Sequence, residues 1–276
     1  MLAGITAQLS YGQDNTVTPR IIGGTSAAQN AWPSTVSLAL SGAGHFCAGT
    51  VVHHDWVLTA AHCVAGVRPG QIRVLTGVTN LLNDTPAEII AVTQIIRHPG
   101  YNPVTFNFDF ALLKLKARTN AARSRLYAGD SSLTGRLSTA VGWGTTSPFG
   151  TSLSAELMQV DLPVISNVLC ASANNSATTA SMLCAGRASG GVDACIGDSG
   201  GPLFFSQSGF IAQAGVTSFG FGACAQPGSY GVWARVSAGI PFIAQHVPGK
   251  ISPDGLFFVA EGSFAAVVPA ISILLN

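Results

Sequence analysis

Charged residues are scarce in this chain of 276 residues: they make up 9% of the sequence, and the formal net charge is only +1. Lysine and arginine form no cluster, although a protein that binds nucleic acid or an anionic membrane needs a concentrated basic surface. The sequence also lacks an internal repeat at the period of a solenoid or a propeller. We therefore exclude nucleic acid as a partner and a repeat architecture as the fold.

The cysteine spacing lacks a C-x-x-C pair, the pattern typical of zinc ribbons and thioredoxin-like redox sites. The six cysteines are dispersed and even in number, which favours three disulfides and an oxidising compartment. Each disulfide would close a loop of moderate length and contribute on the order of 3 kcal/mol in the chain-entropy treatment. Free buried thiols are the alternative. The spacing predicts the pairs Cys47–Cys63, Cys170–Cys184 and Cys195–Cys224.

Neither end of the chain carries a hydrophobic run long enough to cross a bilayer. The opening MLAGITAQLS has no basic region and only a short apolar core, so it is a poor signal peptide and at most the remnant of one. We assign residues 1–20 to a propeptide. The tail, residues 248–276, ends in the run FAAVVPAISILL and resembles a GPI signal only faintly, because the polar spacer is missing. We expect a disordered or loosely docked tail and no firm membrane anchor.

Short strand-like runs fill the sequence between Ile21 and Arg235, for example AGTVVHHDWVLTA and GFIAQAGVTSF. Glycine, proline, asparagine and serine separate them, which is typical of antiparallel sandwiches and barrels and not of βαβ units. The one helical pattern is SAGIPFIAQHV, residues 237–247. We predict an all-β fold with a short C-terminal helix.

Three separate strings carry residue types that acyl transfer needs: a nucleophile, a base and a group that orients the base. His62 follows a strand-like run in LTAAHC, and Asp109 lies within apolar sequence in FDFALLKL, where a buried carboxylate requires hydrogen-bonding partners. Ser199 lies in GDSGGP, whose glycines allow a tight turn that exposes the serine and directs backbone N–H groups to one point. Each string alone is weak, but the three in this order point to one chemistry.

The chain resembles the chymotrypsin/trypsin family of serine peptidases from Ile21 to about Val247. This resemblance implies two six-stranded antiparallel β-barrels with the active site in the cleft between them. The N-barrel would cover about residues 21–128 and the C-barrel about 129–235. A peptidase of this kind needs no cofactor and no metal, and we expect a monomer. The resemblance rests on IIGG, TAAHC, DFALL, GWG, GDSGGP, TSFG and YGVW in this order.

The resemblance also implies a role for each residue of the three strings. Ser199 would be the nucleophile, His62 the general base and then acid, and Asp109 the carboxylate that fixes the imidazole tautomer. The backbone N–H groups of Gly197 and Ser199 would form the oxyanion hole. Ser218 would donate a hydrogen bond to the aspartate and line the substrate main chain.

An activation junction is implied at Arg20–Ile21. Cleavage there would free an α-ammonium group on Ile21, which in this family pairs with the carboxylate beside the nucleophile, here Asp198. A buried ion pair of this kind requires both partners. We therefore expect the uncut chain to be a zymogen, although a surface linker that ends in arginine also fits Arg20 alone.

The implied specificity pocket has Asp193 at its floor, where a carboxylate selects arginine or lysine at P1, the substrate residue before the cleaved bond. Gly220 and Gly231 match wall positions that leave room for a long side chain. Ala194 stands where many trypsins have serine. A solvated turn is the alternative for Asp193.

We expect a secreted endopeptidase that takes protein or peptide substrates and is open to protein inhibitors. The alternative is a catalytically silent protein that keeps the fold and only binds partners. Such proteins commonly lose a residue of the catalytic triad, and this sequence retains all three.

Overall fold

The computed structural model describes residues 21–129, 132–148, 150–175, 178–207 and 209–258. Within these ranges the chain is mostly β-structure, with two α-helices, α1 (Asn167–Asn174) and α2 (Val236–His246), and short 3-10 turns. The strands are β1 Thr25–Ser26, β2 Thr35–Leu40, β3 Gly44–His53, β4 Trp56–Thr59, β5 Ile72–Thr76, β6 Glu88–Arg97, β7 Ala111–Leu115, β8 Arg125–Tyr127, β9 Leu137–Gly142, β10 Met158–Ile165, β11 Met182–Ala185, β12 Pro202–Gln207, β13 Phe210–Phe219, β14 Gly231–Arg235, β15 Lys250–Ile251 and β16 Leu256–Phe258.

The first barrel closes in the order β2-β3-β4-β7-β6-β5, and every neighbouring pair is antiparallel. Burial alternates along the barrel wall: in Ile72–Thr76 every second side chain is buried, because successive side chains of a strand point to opposite faces of the sheet. Val36, Leu58 and Leu113 are fully buried in its core.

The second barrel closes in the order β9-β10-β11-β14-β13-β12, because β12 pairs with both β13 and β9. Trp233 and Leu203 are fully buried in its core. Both barrels have six antiparallel strands, so the fold predicted from the sequence is confirmed. Within the described ranges no helix is long and apolar enough to cross a membrane.

Several short strands extend the second barrel in ways that the sequence did not indicate. β1 pairs with β10, and β8 pairs in parallel with β13, so residues 25–26 and 125–127 join the second barrel although we had placed them in the first. The first part of the tail also docks: β15 and β16 form a hairpin on β8, with Leu256 and Phe257 buried. Residues 259–276 lie outside the described residues.

Helix α2 covers nearly the same residues as the helix predicted at 237–247, and its residues Val236, Ile240 and Ile243 pack into the core of the first barrel. Helix α1 was not predicted. It has eight residues, and Val168 and Leu169 are exposed, so its sequence shows no apolar stripe.

Candidate active site

His62 lies just after β4, where the chain leaves the first barrel in a 3-10 turn, His62–Val64. The next residue is bonded to Cys47 of β3 through a disulfide, which ties this turn to the barrel wall. The imidazole is 22% exposed. The histidine is therefore held in position and remains open to the solvent on one side.

Asp109 immediately precedes Phe110 and β7 and is fully buried. Its Oδ1 accepts a hydrogen bond from the backbone N–H of His62 at 2.9 Å, and its Oδ2 accepts from His62 Nδ1 at 2.6 Å and from Ser218 Oγ at 2.5 Å. Because an ionised carboxylate can only accept, the ring proton lies on Nδ1 and Nε2 is the ring's acceptor. The buried carboxylate is thus fully satisfied and fixes the tautomer of the imidazole.

Ser199 lies in the turn between Cys195 and β12, and backbone hydrogen bonds tie this turn to both barrels. The N–H of Ala48 in the first barrel donates to the Ser199 carbonyl at 2.8 Å, and the N–H of Gly200 donates to the carbonyl of Thr217 in the second barrel at 2.8 Å. Gly200 has φ +77°, and a Cβ there would lie 2.2 Å from Thr59 Oγ1. A side chain at residue 200 would push the turn away from the first barrel.

The N–H groups of Gly197 and Ser199 take part in no hydrogen bond within the described part of the chain. Gly197 has φ +96°, a backbone conformation that favours glycine. Its carbonyl is held by His45 of β3, whose Nε2 lies 3.1 Å away and whose Nδ1 lies 2.8 Å from Ser37 Oγ. Burial lowers the pKa of His45, so its imidazole is neutral and holds the turn by a hydrogen bond. The two N–H groups remain free for an anionic ligand.

A cavity of about 230 Å³ opens beside Ser199, and its lining includes Ser218–Gly220 and Ala194–Ile196. The disulfide Cys195–Cys224 forms part of its wall. Gly231 also lines the cavity. A Cβ at Gly220 would meet no atom within 4 Å, so this wall has free space where a side chain would otherwise stand.

Asp193 lies next to the lining residues Ala194 and Gly231 and is only 4% exposed. Its Oδ2 accepts a hydrogen bond from the N–H of Ala225 at 3.0 Å, whereas its Oδ1 has no partner within the described residues. A Cβ on Gly231 would lie 2.9 Å from this Oδ1, so a side chain there would cover it. Burial raises the pKa of Asp193 to about 6, although hydrogen bonds from backbone N–H groups lower this pKa in part. A buried carboxyl oxygen without a partner within the described residues therefore lies next to the cavity lining at Gly231.

Asp198 is fully enclosed and accepts hydrogen bonds from the N–H groups of Gly144 and Cys195, both at 2.8 Å. A Cβ on Gly142 or Gly144 would lie 2.3 Å from a carboxylate oxygen, so the GWG string leaves the space that this side chain fills. Burial raises the pKa of Asp198 to about 7. No cation pairs with it within the described residues.

The start of the described chain lies against the segment that contains Asp193. Ile21 is fully buried in the core of the second barrel, and the carbonyl of Ile22 accepts a hydrogen bond from the N–H of Asp193 at 3.2 Å. Gly23 has φ +71°, and a Cβ there would lie 2.3 Å from the carbonyl oxygen of Gly191. Arg20, the other residue of the expected activation junction, lies outside the described residues.

Comparison with known proteins gives a consistent picture. A family model described as Trypsin matches residues 21–243. The chain belongs to the trypsin family. It is 37% identical over 246 residues to a protein named "Serine proteinase stubble" from Drosophila melanogaster. The matched region covers 83% of this chain and 31% of that protein. It is also 37% identical over 220 residues to "Trypsin" from Saccharopolyspora erythraea. This second match covers 79% of this chain and 94% of that protein.

Membership of the trypsin family places this chain among the serine peptidases. The structure brings His62 and Ser218 into direct contact with Asp109, and Ser199 lines the cavity next to which Asp193 lies. Within the described residues no hydrogen bond joins the side chain of Ser199 to His62, whose Nε2 lies 3.7 Å from Cys63 Sγ. The three disulfides join the pairs that the spacing predicted. His62, Cys47 and Cys63 also cluster, but both sulfurs belong to one disulfide and are not free to bind a metal.

Two features of this trypsin-family site were missed in the sequence. His45 holds the Gly197 carbonyl, but nothing in GAGHFC distinguishes this histidine from the others. An aromatic wall extends from the imidazole: Phe106 lies 5.8 Å from the ring of His62, Phe219 lies 5.1 Å from Phe106, and Phe221 lies 5.4 Å from Phe219. Phe106 adopts φ +55° in a turn held by Asn102, a conformation that an apolar residue does not reveal in sequence.

Proposed function

We propose that this chain is a serine endopeptidase that hydrolyses peptide bonds after arginine, and less readily after lysine, through an acyl-enzyme. The observation that carries the proposal is the unpartnered Oδ1 of Asp193, which lies next to Gly231 in the lining of the cavity that Ser199 also lines. A buried carboxyl oxygen without a partner is costly, and a cationic side chain that enters the cavity would supply the missing donor.

Ser199 acts as the nucleophile in this proposal. Its Oγ attacks the substrate carbonyl carbon while its proton passes to Nε2 of His62, which is the ring's acceptor because Nδ1 donates to Asp109. The tetrahedral intermediate carries an oxyanion that the N–H groups of Gly197 and Ser199 stabilise. Loss of one such donor typically costs about 3 kcal/mol of transition-state stabilisation.

Collapse of this intermediate completes acylation. The C–N bond breaks, and His62 returns the proton to the leaving amine. Water then attacks the acyl-enzyme with the same imidazole as base, and the second collapse releases the carboxylate product and restores Ser199. Asp109 stays ionised and stabilises the imidazolium ion that forms twice in each cycle.

The preference for arginine follows from Asp193 and Ala194 together. The planar guanidinium of a P1 arginine can donate two parallel hydrogen bonds to a carboxylate. A P1 lysine is shorter and would depend on water or a neighbouring hydroxyl, which Ala194 does not offer. A missing hydrogen bond to a charged group corresponds to roughly tenfold in kcat/KM.

Cleavage after Arg20 would activate the enzyme. The carboxylate of Asp198 is buried with two N–H donors and no cation within the described residues, and Ile21 is buried close to the segment that contains it. A new α-ammonium on Ile21 would compensate this charge and hold the Gly197–Ser199 turn. Three disulfides favour an oxidising, extracellular location, where we propose a monomer that meets protein substrates and protein inhibitors.

A scan of matched peptide substrates that differ only at P1 tests the specificity, with protein cut after Arg20. We expect arginine to exceed lysine by about tenfold and both to exceed alanine and phenylalanine by far more. Equal rates for arginine and phenylalanine would contradict the role of Asp193. A fluorophosphonate probe tests the chemistry separately: a peptidase is labelled at Ser199, and a catalytically silent binding protein is not.

A further inference from the structure

A large cavity lies apart from the candidate active site. It is a groove of about 730 Å³ lined by the segment before β2, by the second barrel with β8, and by the β15–β16 hairpin, and none of the residues proposed for catalysis or substrate binding lines it. We call it the Trp32 groove. Its lining includes Trp32, Arg125, Phe204, Phe210, Ile211 and Phe258.

The Trp32 groove is open and mostly apolar, with Asp254 and several other polar side chains also in its lining. Phe210 is 41% exposed, Ile211 53% and Phe258 39%, whereas large apolar side chains are normally covered where they lie side by side. The ring of Trp32 stacks on Phe204 at 5.0 Å and is fixed by a hydrogen bond from its Nε1 to Gln159. The floor is therefore rigid, and apolar side chains at the rim remain uncovered.

We propose that the Trp32 groove is the docking site of the chain's own C-terminal apolar segment, residues 264–275. The chain reaches the groove by itself: Phe258, the last described residue, belongs to β16 and lines it. Five residues, VAEGS, separate Phe258 from Phe264, so six steps along the chain join them and span at most about 21 Å. Phe264 can therefore reach the groove without a long linker.

The chemistry of the segment matches that of the groove. The sequence FAAVVPAISILL contains no charged residue, and the cavity lies within the roughly 300–1,000 Å³ range that buries a compact apolar ligand. Glu261 carries the only charged side chain after Phe258. At the rim, the exposed Arg125 holds its guanidinium 4.0 Å from the centre of the Phe210 ring, within reach of a carboxylate that enters over it.

This proposal also accounts for a tail that catalysis does not use. Docking would cover Phe210 and Ile211, which otherwise present a surface for association of two chains. It would also join the segment before β2, which contains Trp32, to Phe204 and Phe210 of the second barrel. The segment would thereby stabilise the folded chain, independently of the catalytic proposal.

Photo-crosslinking tests the contact directly. Phe264 is replaced by the photoreactive p-benzoyl-phenylalanine in full-length protein that also carries Ser199→Ala, which prevents self-digestion, and crosslinked peptides are identified by mass spectrometry. We expect crosslinks within one chain to Trp32, Phe204, Phe210 or Ile211. Crosslinks between two chains, crosslinks only to other surfaces, or no crosslink would each overturn the proposal.

A double-mutant cycle tests the energetic coupling in the same background. Phe264→Ser should lower the melting temperature by about 3 °C, and by less than about 1 °C when Ile211→Asn has already disrupted the groove. Ile89→Asn is the matched control, since Ile89 is an exposed strand isoleucine of the first barrel that does not line the groove. An equal loss in the Ile211→Asn and Ile89→Asn backgrounds would overturn the proposal.

Discussion

Binding of a small cation to the Ser199 cavity should weaken steeply as the pH falls through about 6. Burial raises the pKa of Asp193 to about 6, so the free carboxyl group takes up a proton in this range. An aryl amidine such as benzamidine stays cationic throughout and can bind only to the ionised form. Its apparent Kd should therefore be about twofold higher at pH 6 than at pH 8, and about tenfold higher at pH 5.

Calorimetric titration of benzamidine between pH 4.5 and 8, on protein cut after Arg20, measures this dependence without turnover. Two variants assign it. Asp193→Ser should bind the amidine weakly at every pH, because it leaves no charge to titrate next to the cavity lining. His62→Ala should retain the full pH dependence, since its imidazole is not part of the cavity lining.

Two outcomes would refute this reasoning. An affinity that stays constant from pH 7 to pH 5 would mean that the pKa of Asp193 is not raised. A pH dependence that persists in Asp193→Ser would assign the titration to another buried group, such as Asp198, whose pKa burial raises to about 7. Either result would remove the cavity carboxylate as the determinant of cation binding.

Four further predictions follow from the same residues. Ser199→Ala should lower kcat by about a thousandfold or more without loss of folded protein, measured by peptide hydrolysis and circular dichroism; near-normal hydrolysis would end the triad assignment. Arg20→Gln should stay inactive when a trypsin-like enzyme switches on the wild type; an active uncut variant would show that another group organises the turn. Ala194→Ser should narrow the roughly tenfold advantage of arginine over lysine by improving lysine; lysine equal to arginine in the wild type would contradict our geometry of the cavity floor. Asp193→Asn should raise the melting temperature at pH 8 and not at pH 4, because a carboxyl whose pKa is raised by folding destabilises the protein only where it is ionised; the same gain at both pH values would contradict this.

The barrels and the histidine–aspartate contact could be predicted from the sequence because both rest on local patterns. The strands lie in short strand-like runs such as Ile72–Thr76. The triad residues lie in three strings whose order along the chain points to a serine peptidase. The disulfides could be predicted because each loop has a favourable length. In contrast, β8 and β16 have three residues each, and their pairing depends on contacts between distant parts of the chain.

The remaining features of the site depend on tertiary contacts that no local string encodes. His45 reaches Gly197 across 152 positions in sequence. Phe106 is placed beside His62 by a turn with positive φ, although phenylalanine is not a residue that favours such a turn. Asp193 and Asp198 could be named from their strings, but the free Oδ1 of the first and the two N–H donors of the second became visible only in the structure.

The three buried aspartates differ in how completely the described residues compensate their charge. Asp109 accepts three hydrogen bonds, one of them from an imidazole that can itself become cationic. Asp198 accepts two from backbone N–H groups and Asp193 leaves one oxygen unpartnered, and burial raises the pKa of both. Uncompensated buried carboxylates destabilise a fold, so their presence needs a reason. We infer that each is built for a cation that arrives later: the ammonium of Ile21 after cleavage for Asp198, and the P1 side chain for Asp193. Activation and substrate selection would then use the same physical device, a buried anion that only the correct positive charge can neutralise.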